Sequence, residues 1–216
     1  MDLITGRWHP HLNSYHYEGG WEVLSLRSPG GLTHNTVPDL QGEDAFEDTP
    51  LMDQCPAIRS LTRSFTCPVM SVRLLNLKAG ALIKPHRDRE LSFEQGEARI
   101  HLPVHTNDGV EFYVEDDRVI MPEGSCWYIN ANLPHRVANK GAADRVHLVI
   151  DCKVNDWLTM LFGDSEQKTR DLPFDADVQR QIIESLRLQR HEAAAALALQ
   201  LEQELLAYLP VKSVDE

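Results

Sequence analysis

Between about Pro68 and Cys152, apolar and polar residues alternate in short runs: VMSVRLLNL, ALIKP, ARIHLPVHT, VEFYV, RVIM, SCWYI and DRVHLVIDC. Turn signals separate them (KAG, TNDG, EDD, PEG, NKGAAD), and no helical pattern intervenes. Many short strands at such close spacing predict an antiparallel sandwich or barrel. Upstream, GWEVLSLR at 20–27 alternates as a strand and SPGG closes it as a turn. Residues 30–50 read as an acidic loop. Residues 51–64 (LMDQCPAIRSLTRS) read as a short helix, with Pro56 counting against a long one.

The period then changes. Residues 155–163 (NDWLTMLFG) and about 175–208 read as helices. In the longer one, Val178, Ile182, Leu186, Ala193, Leu197, Leu201 and Leu205 recur at helical spacing. The expected organisation is therefore a β domain over 1–154, N-terminal elements included, and a helical extension over 155–216. An apolar stripe on that extension needs a partner, which is either the barrel or a second copy in a homodimer.

Composition narrows the function classes. The 216 residues carry 21 Lys and Arg against 33 Asp and Glu, a net charge of −12. Binding to nucleic acid rests mainly on neutralising phosphates, so this balance argues against it. The four cysteines are scattered without a Cys-x-x-Cys pair and read as reduced thiols. The N-terminus shows no secretory pattern and AAAALALQL is about half a membrane span, so the expectation is a soluble, cytoplasmic chain without membrane contact.

Chemistry concentrates in 73–152. In KPHRD, His86 and Asp88 lie two residues apart after a strand, and an extended segment sends such residues to one side. His135, in NANLPHRV, begins another strand. Two histidines and one carboxylate with open opposite positions make the facial triad of non-haem Fe(II) oxygenases, although zinc accepts the same ligands. In RVHLVID, alternation puts Arg145, His147, Val149 and Asp151 on one face and Val146, Leu148, Ile150 and Cys152 on the other. In ARIHLPVHT, Arg99, His101, Pro103 and His105 share a face opposite Ile100, Leu102 and Val104. An inward arginine needs an anion, and the fork of Arg145 suits a carboxylate such as the distal end of 2-oxoglutarate.

HRD, RIHLPV, NANLPHRV and DRVHLVID together resemble the aspartyl/asparaginyl β-hydroxylase family of Fe(II)/2-oxoglutarate dioxygenases. IKPHRD and RVHLVID are most similar to its bacterial small-molecule branch, which includes the L-proline cis-4-hydroxylases. The resemblance covers about 70–152 and, more weakly, 20–27. It implies a double-stranded β-helix, the cupin-like jelly roll. It implies that His86, Asp88 and His135 hold Fe(II), that Arg145 binds the C5 carboxylate of 2-oxoglutarate, and that Arg99 and His101 lie near its C1 end. The implied reaction uses O2, converts 2-oxoglutarate to succinate and CO2, and hydroxylates an unactivated C–H bond of a small molecule, a free amino acid or an aminoacyl group. The animal peptidyl hydroxylases of the family lack the triad carboxylate, whereas this chain keeps Asp88.

Two other readings use the same residues. A cupin-like metal enzyme independent of 2-oxoglutarate would have no use for Arg145, and cupins favour His-x-His with a following Glu. A non-catalytic module sensing 2-oxoglutarate, or assembling through its C-terminal helix, would not need an open metal site. His105 and His147 read equally as support for ligands or as ordinary paired histidines. Trp127, Tyr128 and Phe112 read as core or pocket wall, and Arg27 as a contact to a substrate carboxylate or a surface charge. His9, His11, His16 and His34 receive no role.

Overall fold

The computed structural model describes residues 8–36, 45–88, 91–166, 176–188 and 192–208. Strands β1 (His9–Pro10), β2 (Tyr17–Glu18), β3 (Trp21–Pro29) and β4 (Phe46–Asp48) come first, followed by helix α1 (Pro56–Ser64). Then come β5 (Val69–Leu77), β6 (Leu82–His86), β7 (Glu97–His105), β8 (Val110–Val114), β9 (Asp117–Val119), β10 (Trp127–Tyr128), β11 (His135–Asn139) and β12 (Arg145–Lys153). Helices α2 (Asp156–Gly163), α3 (Ala176–Leu188) and α4 (Glu192–Tyr208) close the chain.

The strands form two antiparallel sheets. One runs β1-β3-β5-β12-β7-β10, with β4 also on β3; the other runs β2-β6-β11-β8-β9. Apart from the β3–β4 and β8–β9 pairs, hydrogen-bonded neighbours are not consecutive in the chain, the mark of a jelly roll, so the expected double-stranded β-helix is present. The long inner strands β5 and β12 are buried on both faces. Between the sheets, Trp21, Val23, Leu75, Leu77 and Val149 of the first pack against Ile83, Phe112 and Val137 of the second. Behind the first sheet, Leu24, Leu74, Ile100, Leu148 and Ile150 pack with Ile58 and Leu61 of α1 and with Leu158 of α2. The alternation expected on β7 and β12 thus sorts into these two cores, with Ile100, Leu148 and Ile150 turned outward to the helices.

Strand boundaries fall within a few residues of expectation; the very short edge strands β1, β2 and β4 were not expected. The helix expected over 51–64 is split: a 3-10 turn covers Pro50–Gln54, and α1 starts at Pro56. Proline lacks an N–H, so it fits the first helical position, where no acceptor is needed. The acidic loop expected at 30–50 falls partly at 37–44, outside the described residues.

Two compact units divide at 166/167 rather than at the expected 154/155. The difference is α2, whose Leu158 is fully buried in the core behind the first sheet. In the second unit, the helix expected over 175–208 is two helices. Ile183, Ala198 and Leu205 form their common core, flanked by Leu186 and Leu201, so part of the apolar stripe is satisfied within a helical pair while Ile182 and Leu197 of the stripe are exposed. The side chains of Val178 and Ala193 lie outside the described residues. Among the described residues, no helix is long and apolar enough to cross a membrane.

Candidate metal centre and anion pocket

β6 ends at His86, and His86 pairs directly with His135 at the start of β11, so the ladder itself brings the two imidazoles together. Their ring centroids are 4.2 Å apart. Each ring is oriented by its own chain: Nδ1 of His86 donates to the Lys84 carbonyl at 2.8 Å, and Nδ1 of His135 to the Leu133 carbonyl at 3.0 Å. A carbonyl only accepts, so both Nδ1 atoms carry the proton, and Nε2 is the nitrogen of each ring left to offer a lone pair to a cation.

Asp88 is held beside them by its backbone, whose N–H donates to Ala131 at 2.9 Å, in the loop leading into β11. Its Oδ1 lies 3.7 Å from Nε2 of His86. One ligand atom from each of His86, Asp88 and His135 falls within 4.8 Å of the others, a spacing that fits one cation. Burial opposes the charge on Asp88, but Arg99, then His135 and His86, outweigh it and hold its carboxyl below its ordinary pKa. Burial, followed by the field of His86, lowers the pKa of His135 and keeps it neutral. Two imidazole nitrogens and a carboxylate are a donor set that iron or zinc accepts.

Arg99 and Asp151 extend this site inward. They are register partners on β7 and β12, with Nε of Arg99 donating to Asp151 at 2.6 Å. An Nη of Arg99 also donates to Asp88 Oδ2. Asp151 accepts further bonds from Arg73 and Ser71 of β5, both at 2.6 Å. It is fully buried, yet the two guanidiniums hold its carboxyl far below the usual range against the desolvation that opposes its charge.

Arg145 occupies the opposite situation. It is 3% exposed, its Nε has no hydrogen-bond partner, and no carboxylate faces it among the described residues. Among the described residues its one polar contact is an Nη donating to Nδ1 of His147 at 2.9 Å. Desolvation alone pushes its pKa down to about 9. A buried cation without a counter-ion is costly, and the cost falls when an anion binds. Arg145 and His147 line a pocket of about 340 Å³ with Phe112 and Met121. His101 is buried with neither ring nitrogen paired. Its ring is 6.2 Å from Phe112 and 6.0 Å from His147, while Phe112 stacks 6.4 Å from His135. Phe112 and His101 therefore connect the triad to Arg145.

The loop that launches β12 is pinned by Asn139. Its amide donates to the carbonyls of Leu77 and Ala143 and accepts from Gly141 N–H. A Cβ at Gly141 would lie 1.9 Å from Oδ1 of Asn107, so a larger residue there displaces the Asn107 amide from its bonds to Gly109, Asn139 and Ala143.

All six residues expected at the site gather in this region, and the remaining expectations separate cleanly. His147 supports Arg145, whereas His105 is half-exposed and bonded to Glu123 at 3.0 Å. Trp127, Tyr128 and Phe112 are wall and core residues. Arg27 donates to Asp48 at 2.9 Å and to the Val69 carbonyl at 3.2 Å, in a separate depression lined by Arg59 and Arg63. Ser71, Arg73 and His11 are additions. The first two were visible as polar residues on the inward face of VMSVRLLNL. His11 stacks on Trp21 at 3.5 Å, and its pKa is lowered to about 3 by burial and then by Arg73 and Arg99. His16 lies 5.2 Å from His86, ring to ring. Nothing in the local sequence marks either histidine, because the N-terminal segment reaches the site only through the fold.

An L-proline cis-4-hydroxylase of Rhizobium meliloti (strain 1021) is 30% identical over 158 residues, which is 71% of this chain. That stretch is 56% of the relative, so the chain matches about half the length of that protein. The crystal structure of an oxidoreductase of the 2OG-Fe(II) oxygenase family from Burkholderia pseudomallei superposes with a TM-score of 0.50 at 13% identity, covering 71% of this chain and 76% of the other, and supports the fold. The sequence pattern of the aspartyl/asparaginyl beta-hydroxylases runs through residues 5–154, from the N-terminal segment to the end of β12, and the chain belongs to that family.

Proposed function

We propose that this chain is an Fe(II)/2-oxoglutarate-dependent dioxygenase that hydroxylates a small amino acid or an aminoacyl group. The observation that carries the reading is the coexistence of a His-Asp-His cluster with a buried guanidinium that has no counter-ion among the described residues, with Phe112 lying between them, 6.4 Å from the His135 ring and 5.7 Å from the Arg145 guanidinium. Either feature alone has other uses; a metal and a dicarboxylate sharing one site need both.

In this reading His86 and His135 would hold the metal through Nε2 and Asp88 through its carboxylate. When bound, the iron and 2-oxoglutarate supply the oxidising chemistry, with succinate and CO2 as co-products. The chain contributes binding and orientation. Arg145 neutralises the C5 carboxylate, and its bond to His147 keeps the guanidinium plane directed into the pocket. Arg99 and His101 serve the C1 end; the unpaired nitrogens of His101 are free to donate or accept there. Desolvation holds His101 neutral, with its pKa well below 6.5, so it does not compete with Arg145 as a cation. The similarity to a proline hydroxylase favours a small amino acid as substrate.

Succinate release from 2-oxoglutarate under Fe2+ and ascorbate, with a panel of amino acids, tests the proposal. Stimulation by one amino acid and a product heavier by about 16 Da, one inserted oxygen, is the expected result. Iron binding without any succinate would favour a sensor, and activity restored to chelated protein by Zn2+ but not Fe2+ would favour a different metal enzyme.

A further inference from the structure

Asp151 has no direct access to a bound molecule, since it is fully buried and both its oxygens are occupied. Oδ1 accepts from Nε of Arg99 at 2.6 Å. Oδ2 accepts from Ser71 and Arg73 at 2.6 Å and from an Nη of Arg99 at 3.3 Å. Three strands thus converge on one carboxylate: β5 supplies Ser71 and Arg73, β7 supplies Arg99, and β12 supplies Asp151. The far end of Arg99 reaches Oδ2 of Asp88, the oxygen other than the one nearest His86.

We propose that Asp151 is a positioning residue that, through Arg99, fixes how Asp88 presents itself to a metal. This rests on the metal reading above. Arg99 is a long side chain, and on its own it would follow Asp88 wherever that carboxylate turned. Anchored by Asp151 on the neighbouring strand, its guanidinium is rigid, and it claims one Asp88 oxygen. The other oxygen is left as a single ligand atom. A carboxylate free to chelate with both oxygens would occupy a coordination position that co-substrate or O2 needs. Groups that orient a ligand from behind in this way are generally worth ten- to a hundredfold in metal affinity.

Arg73 gives the carboxylate its second cation, so removing the charge of Asp151 leaves two buried guanidiniums sharing only Asp88. The experiment therefore uses Asp151→Asn and, because that variant loses an anion between two arginines, the charge-balanced Asp151→Asn/Arg73→Met as well. Full-length wild type and variants are titrated with Co2+ in the absence of co-substrate. The readouts are the dissociation constant and the visible d–d absorption, which follows the number of bound ligand atoms; circular dichroism confirms the folded state. The expected result is about a ten- to hundredfold weaker Co2+ complex with altered band intensity in a folded variant. Unchanged affinity and an unchanged spectrum in either folded variant overturn the role of Asp151 while leaving the metal site intact. Failure of the wild type itself to bind Co2+ removes the metal reading, and this inference with it.

Discussion

His86 and His135 face one another across the β6–β11 pair, and each donates Nδ1–H to the carbonyl two residues earlier in its own strand or loop. The symmetry has a chemical consequence. Local backbone geometry fixes both tautomers before any ligand arrives, so both Nε2 lone pairs are preorganised toward the same space as Asp88.

That arrangement makes Asp88→Ala a sharp test. The variant loses the one anionic ligand and leaves Arg99 paired with Asp151 alone. Affinity for Fe2+ or Co2+ should fall by at least about a hundredfold, and amino-acid-stimulated succinate release should vanish. Near-normal turnover would remove Asp88 from the metal.

Arg145→Met separates stability from function. Without ligand, the substitution removes an unpaired buried cation, so the melting temperature of the metal-free protein should rise, by about 2–4 °C for each kcal/mol gained. The same change should raise the KM for 2-oxoglutarate on the order of a hundredfold, the loss of about 2–3 kcal/mol of charged hydrogen bonding. A lower melting temperature together with an unchanged KM would contradict the assignment.

Acid should destabilise the fold through its histidines. His11, His101 and His147 all have folded pKa values below 6.5, chiefly because burial disfavours the cation. The unfolded chain therefore binds the extra protons. Their contribution is fully present above pH 6.5 and is lost as pH falls from there toward their folded values. Near pH 5.5, unfolding of the metal-free protein should take up about three protons at these rings, with a further contribution from His135, measured from the pH dependence of denaturant unfolding. No net uptake in that window would mean that these rings are hydrated.

The unit boundary predicts opposite fates for two truncations. Ending the chain at residue 166 keeps Leu158 in the core behind the first sheet and should preserve the barrel's melting transition and turnover. Ending at 154 removes α2 and should cost about 1.5–3 kcal/mol for Leu158 alone, with Trp157 and Phe162 adding to it. Equal stability of the two truncations would place the boundary back before α2.

Much of the barrel and the six candidate residues that the fold gathers were legible in the sequence. Alternation is local: a side chain two residues on points the same way, so Arg145 with His147, Arg99 with His101, and His86 with Asp88 could each be assigned to one face of one segment. Proline at a helix start and turn residues between strands are local too. What the residues along the chain could not supply was which face meets which, and at what register. The pairing of His86 with His135, of Arg99 with Asp151, and the approach of His11 and His16 to the site join residues tens of positions apart, and only cross-strand register sets those distances. The fold of residues 175–208 into two helices was likewise hidden. Its apolar stripe shows that a partner is required but not that the partner is the next helix, because burial is satisfied by any apolar surface and only tertiary packing selects one.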